Sequence, residues 1–184
     1  MDQTDIRSKL LDIIRERAIL HGEFTLRSGE ISNVYVDLRL VTLDAQASNL
    51  IGQILLDIIQ REDIDAVGGP TIGADPIVGA TLAVAGQEGT QLAGFLVRST
   101  AKDHGTGKMV EGPLKEGSRV LIVEDTVTTA GAPLKAAKEV ERLGCKVARI
   151  VPIVDRLASA RENVEKAGYL FDPIFTIRDL GLAD

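Results

Sequence analysis

The residues best suited to chemistry in this chain lie in one short stretch, Val120 to Ala132, with the sequence VLIVEDTVTTAGA. Glu124 and Asp125 stand side by side after four apolar residues, and Thr126, Thr128, Thr129 and Gly131 follow. The run Val120 to Val123 suits a strand covered on both faces in a parallel sheet, and such a strand is central. From Pro133 the apolar spacing of Leu134, Ala137, Val140 and Leu143 turns helical, so the unit reads as strand, loop, helix. Open α/β sheets bind ligands at the carboxyl ends of their strands, and a helix amino terminus offers unpaired N–H groups to an anion. A phosphate suits the Thr- and Gly-rich turn, whereas two carboxylates beside it would repel it. Their natural partners are hydroxyl donors, such as the vicinal hydroxyls of a sugar whose phosphate sits in the turn. The stretch therefore predicts a site for a ribose phosphate.

The rest of the chain must position that stretch. Ile6, Leu10, Ile13, Ile14 and Ala18 carry the spacing of an amphipathic helix over Ile6 to Leu20. Gly22 to Arg39 reads as a hairpin broken at Gly29, with Val34, Tyr35 and Val36 on its second strand. Asp44 to Gln60 repeats the helical spacing and needs no role beyond core packing. Ile64 to Gly69 reads as a strand, and TIGAD (Thr71 to Asp75) as a turn before an Ala-rich helix. Pro76 suits the first helical position of that helix and Asp75 its cap. Leu92 to Val97 is a third strand, leading into a Gly-rich stretch with four cations and a His. Connections of that length without structure of their own are uncommon and are often lids. Lys146 to Val154 reads as a further strand ending in Asp155 and Arg156, where a guanidinium fork faces the site and matches a carboxylate. Ala158 to Ala167 reads as helix, and Tyr169 to Ile177 as a last strand. The expected architecture is one α/β domain over residues 1–184: a mainly parallel twisted sheet flanked by helices, with a small amino-terminal hood over 1–40.

Composition narrows the function. The 184 residues are 45% apolar and 26% charged, enough for one packed core. A formal charge of -6 without a basic run disfavours broad nucleic-acid binding, so anionic substrates must be met locally. The single Cys145 excludes an intrachain disulfide, and no long apolar segment or leader pattern occurs. Together these predict a cytoplasmic protein with no membrane partner. His21 and His104 are the only histidines, which gives no pattern for a resident transition-metal centre.

Two adjacent acids followed by T-x-T-T-x-G resemble the phosphoribosyl pyrophosphate (PRPP) motif of type I phosphoribosyltransferases. The hairpin, with F-T-L-x-S-G and S-x-x-Y-x-D-x-R, resembles the hood of orotate phosphoribosyltransferases. R-x-x-A-K-D-H-G resembles their catalytic loop, here spanning 98–113, and a D-R pair recurs at 155–156. The resemblance covers nearly the whole chain. It implies PRPP contacts from Arg98, Lys102, His104 and the run Glu124, Asp125, Thr126, Val127, Thr128, Thr129, Ala130, Gly131 and Ala132. It implies orotate contacts from Thr128 and Arg156, and catalytic roles for Lys102 and Asp125. In that family the hood closes over the pyrimidine, the 71–75 loop faces the pyrophosphate, and the cationic loop is shared across a homodimer interface. Mg2+ is implied through pyrophosphate and sugar oxygens rather than protein side chains. Arg27 and Ser99 stand where the family often has Lys, and Ala132 lacks a hydroxyl several members carry. The implied reaction is orotate plus PRPP giving orotidine 5-phosphate and pyrophosphate, in pyrimidine (UMP) biosynthesis. The alternatives are transfer to another base, where the hood, the A-K-D-H-G loop and Arg156 argue against a purine, and a PRPP-binding regulator without catalysis.

Overall fold

The computed structural model describes residues 2–25, 29, 31–100 and 108–182. Helix α1 (Gln3–Arg17) is capped by the Asp2 carboxylate, which accepts from the Thr4 N–H at 3.3 Å, and buries Ile6, Leu10, Ile13 and Ile14. It ends before the predicted Leu20, because Ile19 and Leu20 open a strand. That strand, β1 (Ile19–Thr25), pairs antiparallel with β2 (Ile31–Val36), and Gly29, at φ 88°, supplies the left-handed residue between them. The Phe24 and Tyr35 rings lie 5.5 Å apart across the hairpin. Its exit is tied to α1 by the Asp37 N–H donating to the Ala18 carbonyl at 2.9 Å. These two strands form a sheet of their own, the predicted hood.

After a short α2 (Arg39–Thr42) comes α3 (Ala45–Arg61), where the Asp44 carboxylate accepts from the N–H groups of Gln46 and Ala47. Then follow β3 (Ala66–Pro70), α4 (Ala74–Gln87), β4 (Ala93–Val97), β5 (Val110–Glu111) and β6 (Arg119–Val127). The chain closes with α5 (Gly131–Arg142), β7 (Lys146–Asp155), α6 (Ala160–Lys166) and β8 (Phe175–Thr176). The main sheet runs β5-β4-β3-β6-β7-β8, parallel except for the β4–β5 pair.

The predicted central strand is central. Along β6, Leu121 and Val123 enter the core beneath α1, α3 and α4, while Val120 and Ile122 enter the core beneath α5 and α6; all four are fully buried. An uninterrupted apolar run is what a strand with two covered faces requires. Three glycines let the layers close up. A Cβ on Gly68 would strike the Phe95 backbone and ring, and one on Gly69 would strike the Val123 carbonyl and Ala74. Gly52 of α3 lies against Val84 and Ala80 of α4, so these two helices pack backbone to backbone.

Two segments differ from expectation. The predicted strand Tyr169 to Ile177 is an extended tail with a ladder of only two residues, plus one isolated bridge from Phe171 to Ile150. Pro173, which has no N–H, interrupts it. The tail is held instead by α1: Arg7 donates to the Ile174 carbonyl and stacks 5.4 Å over the Phe175 ring, and Arg15 donates to the Asp179 carbonyl at 2.6 Å. The predicted lid, 98–113, is anchored as a strand at its far end, where β5 pairs with β4 and the Arg98 N–H donates to the Met109 carbonyl at 2.9 Å.

Candidate active site

The chain leaves β3 to one side, forms β4 and β5, and returns as β6 on the other side of β3. Such a reversal opens a crevice at the carboxyl ends of the two strands. A cleft of about 960 Å³ lies there. Its floor comes from Glu124, Asp125, Thr126 and Thr128 at the end of β6, one side from Ile72 and Gly73 after β3, and the other from Arg156 and Ala158 after β7. The hood closes it with Thr25 and the run Tyr35 to Arg39. Five predicted residues, Glu124, Asp125, Thr126, Thr128 and Arg156, thus share one cavity.

The carboxylates are not in the loop. β6 continues to Val127, pairing Glu124 with Pro152 and Val127 with Asp155 of β7, so both acids project from an interior strand of the sheet. Helix α5 begins at Gly131, earlier than the predicted Pro133, after Ala130 adopts φ 59°. The Asn163 amide donates to the Thr129 carbonyl at 3.0 Å and fixes this turn from α6. Thr128, Thr129, Gly131 and Ala132 are exposed at the head of α5, where its first N–H groups are free of helical partners.

Glu124 is only 7% exposed, and its Oε1 accepts from the Asp125 N–H at 3.2 Å. Burial, followed by the neighbouring charge of Asp125, pushes its carboxyl up to about 8. Asp125 accepts from the Thr126 N–H at 2.5 Å, and burial raises it too, with Arg39 acting in the opposite direction. The pair therefore favours holding a proton until hydroxyl donors or a cation satisfy it.

Asp75 corrects the expected cap. α4 starts at Ala74 behind Gly73, which is itself in the helical region, and no side chain among the described residues caps it. Asp75 lies inside the first turn with Pro76 after it; its buried Oδ1 has no hydrogen-bond partner among the described residues, and desolvation raises its carboxyl. Gly73 is needed for proximity: a Cβ there would strike the Glu124 Oε1 and lie 2.9 Å from the Asp125 Oδ1.

Arg156 is exposed and its N–H donates to the Val127 carbonyl at 3.0 Å, while the Asp155 carboxylate accepts from the Leu157 N–H at 3.0 Å. The D-R pair is thus two separate devices, one bracing the turn and one facing the cleft. Arg98 does not line this cleft; it stands 4.0 Å from Glu111 at the sheet edge. Lys102, His104 and Arg27 lie outside the described residues. Sequence reasoning missed Asp37 and Arg39 as cleft residues, although the S-x-x-Y-x-D-x-R pattern contained both. Among the described residues, no three His, Cys, Asp or Glu side chains are grouped to hold a metal ion, and no helix is long and apolar enough to cross a membrane.

A model of the phosphoribosyl transferase domain matches residues 42–181. The orotate phosphoribosyltransferase of Streptomyces avermitilis is 46% identical over 179 residues, covering 97% of this chain and 98% of that protein. Among solved structures, the Mycobacterium tuberculosis orotate phosphoribosyltransferase in complex with PRPP superposes with a TM-score of 0.82 at 35% identity, covering 96% of this chain and 99% of the other. The orotate phosphoribosyltransferase of Aeropyrum pernix gives 0.77 at 29% identity, with 93% and 95% covered. A switch-point cleft floored by the paired acids and the Thr-rich turn, and relatives of this identity matched end to end, lead to one conclusion: the chain belongs to the phosphoribosyl transferase domain family, among the orotate phosphoribosyltransferases.

Proposed function

We propose that the chain transfers the ribose 5-phosphate group of PRPP to orotate, giving orotidine 5-phosphate and pyrophosphate in UMP biosynthesis, and works as a cytoplasmic homodimer. The observation that supports this is the shared cleft, in which the paired acids Glu124 and Asp125, the start of the Thr-rich turn and Arg156 lie under one hood. The phosphate of PRPP sits in the turn from Thr126 to Ala132, against N–H groups of Val127, Thr129, Ala130 and Gly131 and the Thr hydroxyls. Glu124 and Asp125 accept from the ribose hydroxyls, and Asp125 favours the electron-poor ring as the bond to pyrophosphate breaks. Arg156 and the Thr128 hydroxyl hold orotate, the former by two parallel hydrogen bonds to its carboxylate. Arg98, Lys102 and His104, contributed across the dimer interface, meet the departing pyrophosphate and exclude water from the ring carbon.

Mg2+ fits this site as a companion of the substrate. Buried Glu124 and half-buried Asp125 would hold the ion indirectly, through the sugar hydroxyls they bind, and pyrophosphate oxygens and water would supply its ligands. When bound, it neutralises charge on the leaving group.

Orotate consumption followed by absorbance, with PRPP and Mg2+ and with adenine, hypoxanthine and uracil competing, tests the proposal. Specific, PRPP-dependent loss of orotate supports it; reaction of another base instead removes the roles given to the hood and Arg156. Binding of PRPP without any transfer would favour a regulator. Lys102→Ala is expected to lower kcat about a hundredfold, the loss typical of one group that stabilises transition-state charge, with the thermal midpoint as control. Unchanged turnover would remove Lys102 from the mechanism. Gly73→Ala is expected to weaken PRPP about tenfold, as measured by calorimetry, because the new methyl displaces both carboxylates. The ends of those side chains can yield, so the fold survives.

A further inference from the structure

Asp37 and Arg39 are a motif with no role in the scheme above. The Arg39 Nε and Nη2 donate to the two Asp37 carboxylate oxygens at 2.8 and 2.9 Å, and the Arg39 N–H adds a third bond to Oδ1 at 3.1 Å. A bidentate pair two residues apart, with the Arg39 side chain 54% exposed, is a surplus for a mere turn. Both residues line the cleft, whose described walls carry the carboxylates Asp37, Glu124 and Asp125 against only two guanidinium groups, Arg39 and Arg156. PRPP brings a phosphate and a diphosphate into that acidic surround, and orotate brings a carboxylate. Helix α5 serves the phosphate and Arg156 the orotate, so the diphosphate lacks a cation among the described residues of its own chain. The Arg39 charge also acts on Asp125, the residue that holds the sugar bearing that diphosphate.

We propose that Arg39 is a diphosphate-contacting residue, and that Asp37 is its holding partner, keeping the guanidinium over the cleft until the substrate anion replaces the carboxylate. This rests on the reading that the cleft takes PRPP. It is tested by calorimetry on the full chain with Mg2+, using inorganic pyrophosphate and ribose 5-phosphate as separate probes, neither of which requires orotate or turnover. Arg39→Met is expected to weaken pyrophosphate about tenfold and ribose 5-phosphate less than about twofold, with Arg39→Lys in between. Asp37→Asn, which frees the guanidinium, is expected to leave pyrophosphate affinity equal to or tighter than that of the native chain. Unchanged pyrophosphate affinity in Arg39→Met overturns the proposal. So does an equal loss for both probes, and so does a parallel loss in Asp37→Asn, which would make the pair a brace. Failure of orotate transfer with these binding differences intact would count against the proposed reaction alone.

Discussion

At pH 8, Glu124→Gln is expected to be more stable than the native chain by a few kcal/mol, and at pH 5 to be nearly equal to it. Glu124 is buried beside Asp125, and its carboxyl is raised to about 8 in the folded protein from the ordinary 4.5. Below pH 4.5 both folded and unfolded chains hold the proton, and nothing is lost. Between 4.5 and 8 the unfolded chain releases it while the folded chain retains it, so stability falls by as much as about 1.4 kcal/mol per pH unit. Above 8 both forms are ionised and the decline levels off. Gln keeps the shape and the Oε1 acceptor for the Asp125 N–H, and its amide can donate to the Asp125 carboxylate, while the titration disappears. Asp125 and Asp75, also raised by burial, leave a smaller residual slope of the same sign. Urea unfolding from pH 5 to 8 measures the difference. Equal slopes for the two proteins would show that Glu124 is not the group that titrates. The gain has a functional counterpart: a site that stays partly protonated when empty must release protons as sugar hydroxyls occupy it.

Gly69→Ala is expected to cost about 3 kcal/mol or more, because its methyl would overlap the Val123 carbonyl of β6 and lie 2.8 Å from the Ala74 Cβ. Neither neighbour can swing aside, since one is the backbone of the central strand and the other opens α4. Gly79→Ala in the same helix is the matched control. No atom of the described residues lies within 4 Å of its new Cβ, and replacing an exposed helical Gly stabilises by about 0.5–1 kcal/mol. The two variants carry the same chemical change and opposite signs. Equilibrium unfolding of both checks this, and equal effects would dissolve the close approach of β3 to β6 as an account of Gly69.

The same physics explains what could be read in advance. Val120 to Val123 were legible as a buried central strand because each faces one of two apolar layers, and Glu124, Asp125, Thr126, Thr128 and Arg156 were legible because their types only make sense together. Asp75 misled because Asp before Pro is the usual opening of a helix; here the helical backbone begins at Gly73, where two carboxylates crowd out any side chain. The tail from Tyr169 misled because Phe171, Ile174, Phe175 and Ile177 have a strand-like density, yet they bury against α1 and the sheet edge with little pairing. Arg39 was overlooked because its meaning comes from the end of β6, far away along the chain.

Among the described residues, the hood is a two-stranded sheet with no ladder to the six-stranded one. Two strands alone are marginal in water, whereas β6 shares the stability of the whole domain. The cleft therefore has one wall that persists as long as the protein is folded and another whose order is local. Ligand affinity then contains the free energy of keeping the hairpin formed, so a substitution of Ala18, which lies outside the cleft lining and whose carbonyl receives the Asp37 N–H, would register as a change in binding.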